Sequence, residues 1–131
     1  MNDAELWRFL PLGYLFTVAL ETPVLLFGLS SRHPLRRRLF AGLWLTACTY
    51  PVVVLVLPPL FADSMRAAYL AVAETFAPAA ECALFWLAYG REETAGGRSL
   101  VRDFAAITAA NLLSFLAGEA AGAYEWFGLL R

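Results

Sequence analysis

Residues 39–60 read LFAGLWLTACTYPVVVLVLPPL, a run without a single charged side chain. A helix rises ~1.5 Å per residue and needs ~20 apolar residues to cross the hydrocarbon core of a bilayer. This run is long enough to cross. Three more apolar runs flank it, from Trp7 to Leu29, from Met65 to Tyr89 and from Ser99 to Ala123. With short connections the four use nearly all of the 131 residues. The chain therefore reads as an all-α membrane protein, one domain over residues 1–131 folded as a four-transmembrane-helix bundle. Composition points the same way: 60% of the residues are hydrophobic and 16% charged, and the mean hydropathy is +0.61. A soluble domain of this length cannot hide that much apolar surface.

The breaks between runs carry turn chemistry. Ser30, Ser31, Arg32, His33 and Pro34 close the first run, and Pro58 and Pro59 close the second. Asp63 and Arg66 mark the next loop. Gly90 to Gly97, with Arg91, Glu92 and Glu93, forms the most polar linker. Trp86 and Tyr89 suit an interfacial belt, as do Tyr124, Trp126 and Phe127 at the opposite side. The first run begins with Asp3 and Glu5 where a signal peptide would be positive, so it reads as a retained helix.

Orientation follows from arginine, because basic loops stay in the cytoplasm. Arg32, Arg36, Arg37, Arg38, Arg91, Arg98 and Arg102 fall on one side, and Arg8, Arg66 and Arg131 on the other. Both termini are thus expected outside the cytoplasm of a bacterial inner membrane, with membrane lipid as the surroundings. The run Arg36 to Arg38 reads first as a topology signal and second as an anionic-lipid contact. All ten cations are arginine, which together with abundant alanine suggests GC-rich codon usage. A net charge of −1 with basic residues confined to loops excludes a nucleic-acid surface. Cys48 and Cys82 lie in apolar runs and read as packing residues. His33, the lone histidine, sits in a basic loop, and no serine has a histidine placed to activate it. No reaction template fits, and an intramembrane enzyme acting on a lipid head group ranks last among the readings.

Three carboxylates lie where a membrane should exclude them. Glu21, Glu74 and Glu81 fall well inside their runs, and a carboxylate at mid-bilayer costs ~2.5–3.5 kcal/mol even on the lenient insertion scale. Counting residues from the terminal ends puts Glu21 and Glu81 roughly 20 Å deep, and Glu74, Tyr50 and Asn111 roughly 12–15 Å deep. Matching depths on different helices predict one shared interior site. Glu74 and Glu81 are two turns apart on one face. Pro23, Pro51 and Pro78 interrupt three of the four runs and free the carbonyls of Ala19, Ala47 and Glu74. With hydroxyls from Thr46, Thr49 and Tyr50 the set is all oxygen, which suits a hard cation or a proton; no other cofactor is implied and no metal is identified. Thr46, Thr49, Asn111 and Ser114 also read as interhelical glue. Gly118-x3-Gly122, extended by Ala106, Ala110 and Ala117, predicts close helix packing first and oligomerisation second. Glu119 reads as interfacial.

Glu21-Thr22 echoes Glu74-Thr75, and Thr46-x2-Thr49 echoes Asn111-x2-Ser114, which suggests a parallel two-helix repeat. At these same positions the chain resembles a loosely defined set of small uncharacterised bacterial four-span membrane proteins. That set has Glu-x-Pro in the first span, Thr-His-Pro in the second, paired glutamates in the third and Asn-x2-Ser in the fourth. Here these are Glu21 and Pro23, Thr49 to Pro51 with Tyr50 in the histidine position, Glu74 and Glu81, and Asn111 and Ser114. The resemblance implies the fold and no activity. The expectation carried forward is a bundle whose interior binds or conducts a cation or proton through Glu21, Glu74 and Glu81, supported by Thr49, Tyr50, Asn111 and Ser114. It would act alone as a homo-oligomer or as a transporter subunit. The alternative is an accessory subunit of a larger membrane complex, in which the polar residues only pair helices.

Overall fold

The computed structural model describes residues 3–60, 66–92 and 96–123. They form α1 (Asp3–Gly28), α2 (Leu35–Pro51), a π-helical turn (Val52–Val56) that runs into the short α3 (Leu57–Leu60), α4 (Arg66–Tyr89) and α5 (Gly97–Ala123). Four segments, Trp7–Gly28, Leu35–Val56, Ala67–Tyr89 and Gly97–Ala120, are long and apolar enough to cross a membrane. No strand occurs among the described residues. Lipid offers no partner to a bare N–H or C=O, so a chain this apolar must close its backbone hydrogen bonds within each helix. The expected aromatic group at Tyr124, Trp126 and Phe127 lies outside the described residues, as do Asp63, Met65, Glu93 and Arg131.

Two helices begin earlier than the apolar pattern suggests. Pro34 caps α2 in an extended conformation, a backbone its ring favours, so Arg36 to Arg38 sit on the first turn of α2 and not in a loop. Arg98 and Arg102 likewise lie on α5. Arginine tolerates this because its long stem can lie along apolar surface while the head stays polar.

The helices form a ring in which α1 packs on α2 and α5, α4 packs on α5 and α2, and diagonal pairs barely touch. Buried positions trace one stripe per helix. On α1 they are Gly13, Glu21, Leu25 and Leu29; on α4 they are Ala73, Ala77, Glu81 and Phe85. These stripes align Glu21 with Glu81 and Leu25 with Phe85. The sequence reading of a parallel two-helix repeat likewise expects Glu21 and Glu81 to meet, and Glu81 is close enough to Glu21 for their charges to interact.

Small residues set the helix spacing. A Cβ on Gly42 would lie 2.2 Å from Thr22 Oγ1, and one on Gly28 would lie 2.9 Å from Ala106 Cβ. Ala106 and Ala110 are buried in the core. The alanine stripe of α5 thus serves packing inside the bundle. Toward the end that holds residues 30–34 and 90–92, here the arginine end, Leu25, Leu29, Leu45, Phe85 and Ile107 fill the middle of the ring.

The last carbonyls of α1 are satisfied by other helices. Arg38 of α2 donates to Leu26 O at 2.5 Å, and Arg102 of α5 donates to Gly28 O at 2.9 Å. A helix C-terminus leaves its final carbonyls without intrahelical partners, and a cation there also meets the negative end of the helix dipole. Arg38 reaches further, to Ser30 O and His33 O. These arginines hold the arginine end together, and of the run Arg36 to Arg38 only Arg36 is fully exposed.

Candidate functional site

Every span contributes to one interior cavity of about 130 Å³. Thr17 and Glu21 come from α1, Thr46, Thr49 and Tyr50 from α2, Glu74 and Ala77 from α4, and Asn111, Ser114 and Phe115 from α5. The second span also supplies Val53, and the local chain geometry explains how. Pro51 has no N–H to give, and after it the helix widens so that Leu57 N–H bonds Val52 O, five residues back. The carbonyl of Val53 receives the Tyr69 hydroxyl at 2.8 Å instead of a helical N–H. The wide turn brings Val53 to the cavity wall.

Glu21 is buried and held at both carboxyl oxygens. Thr46 Oγ1 donates to one at 3.1 Å and Ser114 Oγ to the other at 2.6 Å. This single side chain links three spans. Glu81 is only 2% exposed; the Asn111 amide lies beside it, and it is close enough to Glu21 for their charges to interact. Its Oε2 has no hydrogen-bond partner. Glu74 lines the cavity nearer its terminal side, within electrostatic reach of Glu21 and of Glu119 on α5. Glu119 is half-buried.

The expected residues do not all behave as the sequence suggests. Tyr50 lines the cavity, but its hydroxyl is buried without a partner. Pro23 and Ala19 are exposed on the outer face of α1, and Ala47 is exposed on α2, so the carbonyls freed by Pro23 and Pro51 do not join the site. A proline and the residue four before it share a helix face; on α1 that face points outward, and on α2 Ala47 is exposed and Pro51 half-buried. Pro78 is half-buried on α4. Among the described residues no group of three or more histidine, cysteine or carboxylate side chains is placed to hold a metal ion. What the arrangement can do is hold a proton among carboxyls. Two carboxyl groups in electrostatic contact inside an apolar bundle cannot both carry charge cheaply.

A second polar cluster lies at the arginine end, and sequence reasoning missed its centre. Asp103 on α5 has no exposure at all. It accepts from Ser30 N at 2.7 Å, from Arg32 at 3.2 Å and from His33 Nε2 at 2.9 Å. Arg32 and Arg37 converge on Glu92, which Arg37 grips through two nitrogens at 2.6 and 3.1 Å. The signal was available: a carboxylate one turn inside the fourth apolar run, at the level of the lone histidine. Tyr89 belongs here as well. Expected in an interfacial belt, it packs edge-on against His33 and Phe85 with the Arg37 guanidinium 4.2 Å from its ring centre.

His33 is buried between these groups, not displayed in a loop. Arg37 can only donate, so at 3.3 Å it leaves Nδ1 as acceptor and Nε2 as the protonated nitrogen that donates to Asp103. Burial, aided by the nearby arginines, lowers its pKa below the usual 6.5 although Asp103 opposes the shift. The neutral ring is therefore favoured in the folded state. The stability this contributes is complete above about 6.5, the unfolded value, and is lost as pH falls through the lower folded value. Glu92, held down chiefly by its hydrogen bond to Arg37, loses its contribution only below the usual carboxylate value of 4.5. Acidification between these limits is expected to lower the melting temperature of detergent-solubilised protein more in wild type than in His33→Gln. Parallel curves for the two proteins would refute the assignment.

Fold and interior together define a class, a four-helix membrane bundle with carboxyl groups at mid-depth. No family model, curated protein or solved structure matches the chain.

Proposed function

We propose that this protein handles protons through its interior carboxyls, Glu21, Glu74 and Glu81, in a bacterial inner membrane with both termini outside the cytoplasm. It would act as a homo-oligomer or as a subunit of a larger transporter. The observation that carries this reading is the cavity lined by all four spans, with Glu21 fixed at its floor and a second buried carboxyl, Glu81, in electrostatic contact with it. Thr49, Asn111 and Ser114 support that pair, and Tyr50 walls the cavity. On this reading the protein belongs with the small four-span proteins that share its Glu-x-Pro and Asn-x2-Ser positions.

A second reading, an accessory subunit whose polar core only pairs helices, draws on the two hydroxyls that bind Glu21 from α2 and α5. Glutamine separates the two, since it keeps the shape of glutamate and one acceptor oxygen and removes the titrating charge. In vesicles under an imposed pH gradient, wild type is expected to pass protons and Glu21→Gln and Glu81→Gln are not. Equal flux in all three, or none in folded wild type, would transfer the assignment to helix pairing.

A further inference from the structure

We propose that the cavity is a one-sided vestibule that admits protons, carried by a few waters, from the terminal end of the bundle, and that the arginine end is its closed gate. This rests on the proton-handling reading and adds the side from which the site is loaded.

Size fixes the class of ligand. At ~30 Å³ per water, a space of about 130 Å³ holds about four molecules. Pockets for organic ligands run to ~300 Å³ and more. The titratable groups that line it are Glu21 from α1, Tyr50 from the second span and Glu74 from α4, with Glu81 in electrostatic reach of Glu21 and Glu119 of Glu74. Among the described residues no arginine or histidine lines the space.

Position fixes the side. From Glu21, Thr46 and Asn111 at the floor, the lining climbs toward the terminal end through Thr17 on α1, Val53 in the wide turn and Phe115 on α5. On the other side of the floor the ring is filled. Leu25, Leu29, Leu45, Phe85 and Ile107 are each at most 2% exposed. They present no polar atom with which a water could bond, and apolar interior space stays dry. Past this plug lies the network of Arg32, His33, Asp103 and Glu92, whose ion pairs tie the loop after α1 to the linker after α4 and to α5. Passage through the molecule therefore requires two barriers to open, one apolar and one ionic.

Silver ion, a small thiol-reactive cation, tests this in the full-length chain with Cys48 and Cys82 changed to alanine. Thr17→Cys and Val53→Cys report on the vestibule, Leu29→Cys on the gate, and Arg36→Cys marks the arginine side. Right-side-out and inverted vesicles are treated with silver and washed, and the thiols that remain are alkylated after denaturation. Thr17→Cys and Val53→Cys are expected to lose alkylation only when silver is applied to the terminal side. Arg36→Cys is expected to lose it only from the opposite side, and Leu29→Cys from neither. Reaction of Thr17→Cys and Val53→Cys from the arginine side, or from neither side while Arg36→Cys reacts normally, would overturn the proposal, as would reaction of Leu29→Cys. Access and flux fail separately: one-sided silver access with unchanged flux in the glutamine variants would leave the vestibule and remove its proton role.

Discussion

Asp103→Ala is expected to destabilise the folded bundle by about 3–5 kcal/mol, the cost of removing one partner from a buried ion pair. The carboxylate answers three donors from the segment just after α1, the Ser30 N–H, Arg32 and His33. Without it the Arg32 guanidinium, whose side chain is only 4% exposed, keeps its charge in a space with no counter-ion but Glu92. The Ser30 N–H loses its only acceptor there, and His33 loses the group that fixes its tautomer. Asp103→Asn should fall between, since it preserves volume and one acceptor oxygen. The measurement is unfolding of purified protein in detergent, followed by the loss of helical signal against denaturant or temperature. An alanine variant within about 1 kcal/mol of wild type, the scale of an exposed pair, would show that the cluster is solvated and not structural.

Phe85→Ala should be the next most damaging change, at about 3 kcal/mol, the low end of the range for truncating a buried phenylalanine. The low end applies because lipid is as apolar as the interior, so what is lost is packing and not transfer out of water. Phe85 is fully buried, its ring 4.9 Å from His33 and 5.0 Å from Tyr89. It sits where the apolar plug meets the ionic cluster. Phe85→Leu, which refills most of the volume, should recover most of the loss. Because the plug is also the proposed gate, vesicles with Phe85→Ala are expected to leak protons faster than wild type, and those with Phe85→Leu are not. A stable, non-leaking alanine variant would mean that neighbouring side chains close the space.

The four spans were legible because lipid imposes one rule on every residue of a run, and a single scan for charge-free length applies it. The convergence of Glu21, Glu74, Thr49, Tyr50, Asn111 and Ser114 on one cavity was legible for a related reason, as rise per residue converts position into depth. Direction around the helix was harder. Pro23 and Ala19 lie at suitable depth yet face outward, and only the packed neighbours determine that. Asp103 went unread because it follows Arg102 at the end of an apolar run, where a charge looks like the edge of the membrane. The wide turn after Pro51 was half legible: proline announces a broken hydrogen bond but not whether the helix will kink, stop or widen.

Arg38 gives the missing lysines a second meaning. Its three guanidinium nitrogens each find a different carbonyl, Nε on His33, Nη1 on Leu26 and Nη2 on Ser30. A primary ammonium concentrates its donors at one point and could not span acceptors so widely spread. Codon usage can favour arginine everywhere, but at this position geometry demands it. Charge alone sets which side of the membrane a loop stays on, and lysine would do that equally well. The choice of arginine makes a charge that the sequence offers as a topology signal a three-way clasp in the fold.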